Sequence, residues 1–172
     1  LEDITLRAIR VLKDVDLIAA EDTRHTRRLL AAHGIHTPVT AYHQHNEHQK
    51  TSQLIAKLQA GIRMALVTDA GTPSVSDPGY RLVQAAVDHR IPVSPVPGAS
   101  APIAALSAAG LATDAFTFVG FAPRKKGQRL SRLKELAKLP HTVIYYQSPR
   151  RVLPFLEELL ETCGDRPAVL AR

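Results

Sequence analysis

One stretch constrains this chain more than any other: Ala65 to Tyr80, Ala-Leu-Val-Thr-Asp-Ala-Gly-Thr-Pro-Ser-Val-Ser-Asp-Pro-Gly-Tyr. It opens on the apolar run Ala65-Leu66-Val67, the pattern of a buried strand. At Asp69 it breaks into a loop with Gly71, Pro73, Pro78 and Gly79, and an amphipathic helix pattern follows from about Asp77 to Asp88. A strand, loop and helix in this order is where an open α/β sheet binds its ligand. Gly71 and Gly79 allow a ligand close to the main chain, and the prolines stiffen the loop. The plain alternative is an ordinary βα turn. Such a turn rarely needs Asp69 and Asp77 together with the hydroxyls of Thr68, Thr72, Ser74 and Ser76.

The rest of the chain repeats the alternation. Asp3 reads as a helix N-cap before Ile4, Leu6, Ile9 and Leu12, which share a helical face. Leu17 to Ala20 reads as a strand that ends in Glu21-Asp22-Thr23-Arg24-His25-Thr26-Arg27-Arg28, with Thr23 able to cap a helix stopping at Gly34. Basic residues at a helix start oppose the macrodipole. The run is therefore either a solvated face with local ion pairs or a polar site that grips phosphate or ribose. Val39 to Tyr42 is a further short strand, followed by His43-Gln44-His45-Asn46-Glu47-His48. No second ligand cluster completes a tetrahedral set, so this loop is read as lining a cleft or simply solvated, and no metal is assigned. Ser52 to Ala60 is helical.

Ile91 to Val96 reads as a proline-interrupted strand leading into Pro97-Gly98-Ala99-Ser100-Ala101 and a small-residue helix, Pro102 to Ala109. Gly110 to Asp114 is a linker, and Phe116 to Phe121 is a strand. Six basic residues lie between Arg124 and Lys134, in a loop and helix suited to phosphate contact or to plain solvation. Thr142 to Tyr146 is a buried-type strand ending in Gln147-Ser148-Pro149-Arg150-Arg151. A helix from about Val152 to Thr162 follows, and Pro167 to Ala171 reads as another strand.

Strands alternating with helices argue for an α/β fold with largely parallel sheets. The linker divides it into two α/β domains, residues 1–109 and 110–172. Lys plus Arg exceeds Asp plus Glu, 22 to 16, a net charge of +6 that suits a polyanionic partner. The single cysteine, Cys163, excludes an internal disulfide and a cysteine-based metal cluster and suits a reducing compartment. No apolar run approaches a membrane span, and neither a Walker loop nor a Rossmann glycine fingerprint is present.

Asp22-Thr23-Arg24-His25-Thr26, His45-Asn46-Glu47, Thr68-Asp69-Ala70-Gly71-Thr72-Pro73, Ser76-Asp77-Pro78-Gly79-Tyr80, Pro97-Gly98-Ala99-Ser100-Ala101 and Gly120-Phe121-Ala122-Pro123 occur in that order. Together they resemble the bacterial 16S rRNA (cytidine-2′-O)-methyltransferases of the tetrapyrrole-methylase-like superfamily, over essentially the whole chain. The resemblance implies two α/β domains with an S-adenosylmethionine (SAM) cleft between them, SAM as methyl donor, 16S rRNA of the small ribosomal subunit as substrate, a homodimer and a cytoplasmic location. It implies that Asp69, Gly71, Thr72 and Val75 line the cofactor, with Ser100 and Ala101 opposite and Tyr146, beside Tyr145, contributing from the second domain. Asp22, Arg24 and His25 are the expected catalytic or acceptor-orienting residues, with Glu21, Glu47 and Asp69 as further candidates to take a proton. Arg27, Arg28, Arg124, Lys125, Lys126 and Arg129 are the expected RNA contacts.

Members of the superfamily begin with a strand and a Pro-Ile-Gly-Asn-like turn and continue past the position of Arg172, so both ends are expected to be missing. Gln147 and Arg150 stand where Glu and His are usual, and Gln147 cannot serve as a base. A tetrapyrrole methyltransferase of the same fold and a non-catalytic RNA-binding fragment are the alternatives.

Overall fold

A computed structural model describes residues 2–172, which fall into two compact units, one ending at Ser100 and the other spanning Ala101–Arg172. The sequence expectation put the division later, at 109/110.

In the first unit, helix α1 (Leu6–Asp14) leads into strand β1 (Leu17–Ala20), then α2 (Thr23–Ala32), β2 (Val39–Ala41), α3 (Glu47–Gln59), β3 (Met64–Val67) and α4 (Tyr80–Asp88). The strands form one parallel sheet in the order β2-β1-β3. Parallel neighbours need crossovers, and α2 and α3 supply them. The central strand β1 is covered on both faces, as parallel strands usually are. Its side chains alternate: Ile18 and Ala20 pack with Leu12, Leu30 and Ile35, while Ala19 packs on the opposite face with Tyr42, Leu54, Ile55, Leu82 and Ala86.

Three helices of this unit stop in the same way. After α2, α3 and α4, Gly34, Gly61 and Arg90 adopt positive φ of 60°, 90° and 58°. The next residue then returns its N–H to the helix: Ile35 to Leu30 O, Ile62 to Lys57 O and Ile91 to Ala86 O. This is the Schellman arrangement, in which glycine normally holds the left-handed position. Arg90 holds it once, without that freedom.

The second unit runs α5 (Ala101–Ala108), β4 (Phe116–Phe121), α6 (Lys126–Leu136), β5 (Thr142–Tyr146), a 3₁₀ turn (Pro149–Arg151) and α7 (Val152–Cys163). β4 and β5 pair in parallel, with a register shift between Phe118 and Gly120. Gly120 has φ 70°, which fits a bulge position that favours glycine. Leu133 and Leu136 of α6 and Phe155 of α7 are buried.

Several expectations need correction. Thr5, not Asp3, caps α1, its Oγ1 accepting from Ala8 N at 3.1 Å, and Leu6 is exposed. Asp22, not Thr23, caps α2, accepting from Arg24 N at 2.8 Å. α3 begins at Glu47 rather than Ser52, and α4 at Tyr80 rather than Asp77. Ile91 to Val96 and Pro167 to Ala171 are not strands. Pro92, Pro95 and Pro167 lack the N–H that a ladder requires. Among the described residues no helix is long and apolar enough to cross a membrane.

Candidate functional site

The register of β1 on β3 builds the site. Ala20 pairs with Val67, and Glu21 N continues the ladder by donating to Val67 O at 3.3 Å. The residues just beyond, Glu21-Asp22 and Thr68-Asp69, therefore emerge side by side at the carboxyl ends of the strands, where open parallel sheets place ligand sites. Thr68 Oγ1 donates to Glu21 Oε2 at 2.6 Å, and Asp69 N approaches the same oxygen at 3.4 Å. Asp22 N donates to Asp69 Oδ1 at 3.3 Å.

His25 lies in the first turn of α2, and its Nδ1 is 3.0 Å from Asp69 Oδ2. An ionised carboxylate can only accept, so Nδ1 carries the proton and, in the neutral ring, Nε2 is left as an acceptor. The imidazole is well exposed, with 60% of its side-chain surface accessible. Asp22 is occupied differently. Its carboxylate takes Arg24 N, Arg24 Nε at 3.2 Å and an Arg24 terminal nitrogen at 2.7 Å. The Arg24 guanidinium, aided by the Arg24 amide, holds the Asp22 carboxyl well below the usual carboxylate range. Asp22 is thus a fixed anion, unsuited to accept a proton.

Asp77 lies near Glu21 and Asp69. Burial, then the negative charges of Glu21 and Asp69, push its carboxyl upward. No cation pairs with Glu21 or Asp77 among the described residues.

The loop from Asp69 to Gly79 is shaped by positive φ at Gly71, Ser74, Ser76 and Gly79, of 78°, 72°, 63° and 135°. Gly71 faces open space, with only Asp77 Oδ2 within reach of a β-carbon, at 3.9 Å. Gly79 is packed hard: a β-carbon there would lie 2.8 Å from both Leu66 Cδ2 and Ser74 Oγ. Val75 and Tyr80 are exposed, and the buried Ser74 Oγ has no hydrogen-bond partner.

Donor atoms of Asp22, His25 and Asp69 lie within 4.8 Å of one another, close enough to surround an ion. They are already engaged with Arg24, with each other and with the Asp22 amide. The histidine loop instead forms the entry to α3. Asn46 Oδ1 accepts from His43 N at 2.9 Å, and Glu47 pairs with Arg81 at 2.9 Å.

Of the other expected residues, Arg27 and Arg28 are exposed on α2, and Arg124, Lys125 and Lys126 are exposed at the start of α6. Arg129, also an expected RNA contact, is engaged within its own unit. Its guanidinium is paired with Glu158, at 2.7 Å on one branch, and also donates to Pro123 O and Arg124 O at 3.0 and 2.9 Å. It is a strut for the loop. Tyr146 stacks edgewise on Phe118 and tilts against Phe121, at ring separations of 5.0 and 5.4 Å. Tyr145 packs on Phe155, and burial pushes its phenol up to about 12, so it stays neutral.

Chain-wide similarity agrees with this architecture. The model of the Tetrapyrrole (Corrin/Porphyrin) Methylases matches residues 1–172. A protein named Ribosomal RNA small subunit methyltransferase I from Mesorhizobium japonicum is 53% identical over 173 residues, covering 100% of this chain and 59% of that protein. Its namesake from Escherichia coli O157:H7 is 51% identical, covering 100% of this chain and 60% of that protein. The chain thus spans about six tenths of the length of these relatives. Among solved structures, the uroporphyrin-III C-methyl transferase of Thermus thermophilus complexed with S-adenyl homocysteine superposes with a TM-score of 0.64 at 25% identity, over 96% of this chain and 73% of that one. With parallel α/β units and a match along its whole length, the chain belongs to the tetrapyrrole (corrin/porphyrin) methylase family.

Proposed function

We propose that the protein carrying this chain is a SAM-dependent methyltransferase acting on the 2′-hydroxyl of a cytidine ribose in 16S rRNA. The observation that carries this reading is the half-identity, along the entire chain, to proteins named for small-subunit ribosomal RNA methylation. A location in the cytoplasm and a homodimeric state go with it.

The residues of the first unit fit a cationic donor. Glu21 and Asp77 are carboxylates without a paired cation among the described residues, and burial, then the like charge of Glu21, raises Asp77. A positive ligand would relieve that repulsion. Gly71 leaves open space beside this cluster. Gly71, Thr72 and Val75, with Asp69, are the residues assigned to hold SAM, together with Ser100, Ala101 and Tyr146. SAM, when bound, supplies an electrophilic methyl group.

A ribose hydroxyl is a poor nucleophile and must lose its proton during or after attack. His25 is the residue suited to accept it. Asp69 accepts the Nδ1 proton and fixes the ring, leaving Nε2 free on the exposed edge. Asp69 is the positioning residue, itself held by the Asp22 amide. Asp22 and Arg24, locked together, present a fixed charge pair that orients the acceptor. Arg27, Arg28, Arg124, Lys125 and Lys126 grip the RNA backbone.

The test is methyl transfer from labelled SAM to undermethylated small ribosomal subunits by the full-length protein, with a tetrapyrrole as comparator. Label in cytidine 2′-oxygen is expected. His25→Gln should lower the single-turnover rate by about a hundredfold, within the range of general-base contributions. SAM and RNA affinity should hold. Label in the tetrapyrrole alone would refute the substrate assignment, and a full rate in His25→Gln would refute the base.

A further inference from the structure

The second unit contains a cavity of about 160 Å³ lined by Arg124, Arg129, Gln147, Arg151, Phe155 and Glu158 among others. We propose that this cavity binds a phosphodiester of single-stranded RNA, with Arg124, Arg151 and the Gln147 amide as its ligands. The proposal rests on the RNA reading above and names where the backbone is held.

Three arginines line the cavity against one acid. The carboxylate is spent, because Glu158 is bound on both oxygens by Arg129. Arg129 is largely committed too: of its five N–H donors, two go to Glu158 and two to Pro123 O and Arg124 O. Two cations remain, Arg124 and Arg151, and neither side chain has an acid partner among the described residues. Gln147 adds direction. Its Oε1 accepts from Ser148 N at 2.9 Å, which fixes the amide and leaves Nε2 with two protons to donate. The acceptors of the lining are engaged within the protein, and two unpaired arginines with an anchored amide leave donors as its uncommitted polar groups, the chemistry of an oxyanion site.

The surroundings favour a phosphodiester within a chain over a free anion. Phe155 gives the cavity an apolar wall that a bare tetrahedral anion does not need but a sugar can pack against. The exposed Lys125, Lys126 and Arg150 flank its two basic ligands in sequence and can meet the neighbouring phosphates.

The experiment measures binding of a short single-stranded oligoribonucleotide to the full-length protein across a salt series. Arg124→Gln and Arg151→Gln should each weaken binding about tenfold, and each should reduce the slope of log K against log salt by about 0.7, one phosphate contact on a single strand. Gln147→Glu should weaken binding further by placing a carboxylate among the ligands. Arg10→Gln, an exposed cation on α1, should leave the slope unchanged. Melting temperatures report folding, which neither arginine side chain supports through a hydrogen bond in the structure. The proposal is overturned if the folded double variant Arg124→Gln/Arg151→Gln keeps the affinity and slope of the parent, or if the parent does not bind the oligoribonucleotide. A parent that binds through these residues but methylates no ribosomal subunit would sustain the cavity and refute the enzymatic reading instead.

Discussion

Three glycine-to-alanine substitutions in the first unit should separate steric overlap from backbone strain. At Gly98 a β-carbon meets nothing within 4 Å and φ lies outside the left-handed range, so alanine should be close to neutral. At Gly71 φ is 78° and the nearest atom is 3.9 Å away, so only the left-handed penalty applies, about 1 kcal/mol. At Gly79 φ is 135° and ψ −28°, and the added carbon would meet Leu66 and Ser74 at 2.8 Å and the Ser74 main-chain nitrogen at 3.2 Å. Backbone strain of about 1–3 kcal/mol adds to an overpacking cost of similar size, for a total of about 3 kcal/mol or more. The ends of the Leu66 and Ser74 side chains can shift, but the Ser74 main-chain nitrogen, bonded to Pro78 O, yields less readily. With a urea m-value of about 2 kcal/mol/M, the unfolding midpoint should fall by about 1.5 M in Gly79→Ala and about 0.5 M in Gly71→Ala. The SAM affinity of folded Gly71→Ala, measured by calorimetry, should drop more than its stability does. Equal midpoint shifts for the two variants would refute the steric reasoning.

Two further outcomes are expected. Arg90→Gly should stabilise the first unit by about 0.5–1 kcal/mol, since it relieves a left-handed arginine at a Schellman stop and the gain exceeds glycine's entropic cost; urea denaturation checks it. Asp77→Asn should stabilise the protein at neutral pH, with the gain vanishing below pH 3.8, the ordinary carboxylate value. The sign follows from the raised native value: the folded state holds the Asp77 proton more tightly than the unfolded chain, so the parent loses stability as pH rises from 3.8 through the native value. Denaturation at both ends of that range, in parent and variant, measures it.

Much of the fold was legible because apolar runs mark it: β1, β4 and β5 fall where alternation or burial predicts. The failed strands, Ile91 to Val96 and Pro167 to Ala171, have β-like composition but carry prolines, and the missing donors outweigh the propensity. Helix starts were misplaced where a polar run could cap or continue a helix equally well, as at Asp22-Thr23 and at Asn46 to Ser52. The carboxylates at the strand ends were legible as a group. Their pairing was not, because the Asp69–His25 contact depends on a parallel register that joins residues 44 positions apart. The pairing of Arg129 was hidden for the same reason. Its run reads as uniformly cationic, and its partner Glu158 arrives from another helix 29 positions on. The Gln147-Ser148-Pro149-Arg150-Arg151 run offered the one available sign of the cavity, a polar and basic stretch directly after a buried strand.

The alignment of the polar residues is inherited from a ladder in which they take little part. Ile18 and Ala20 are completely buried, and their neighbours on the adjoining strands fix how far along β3 the central strand sits. A slip of one residue would invert every β1 side chain and carry Glu21 and Asp22 out of line with Thr68 and Asp69. The geometry of the candidate site is therefore vulnerable at positions outside it: an insertion within β1 would misalign its groups while leaving each of them chemically intact.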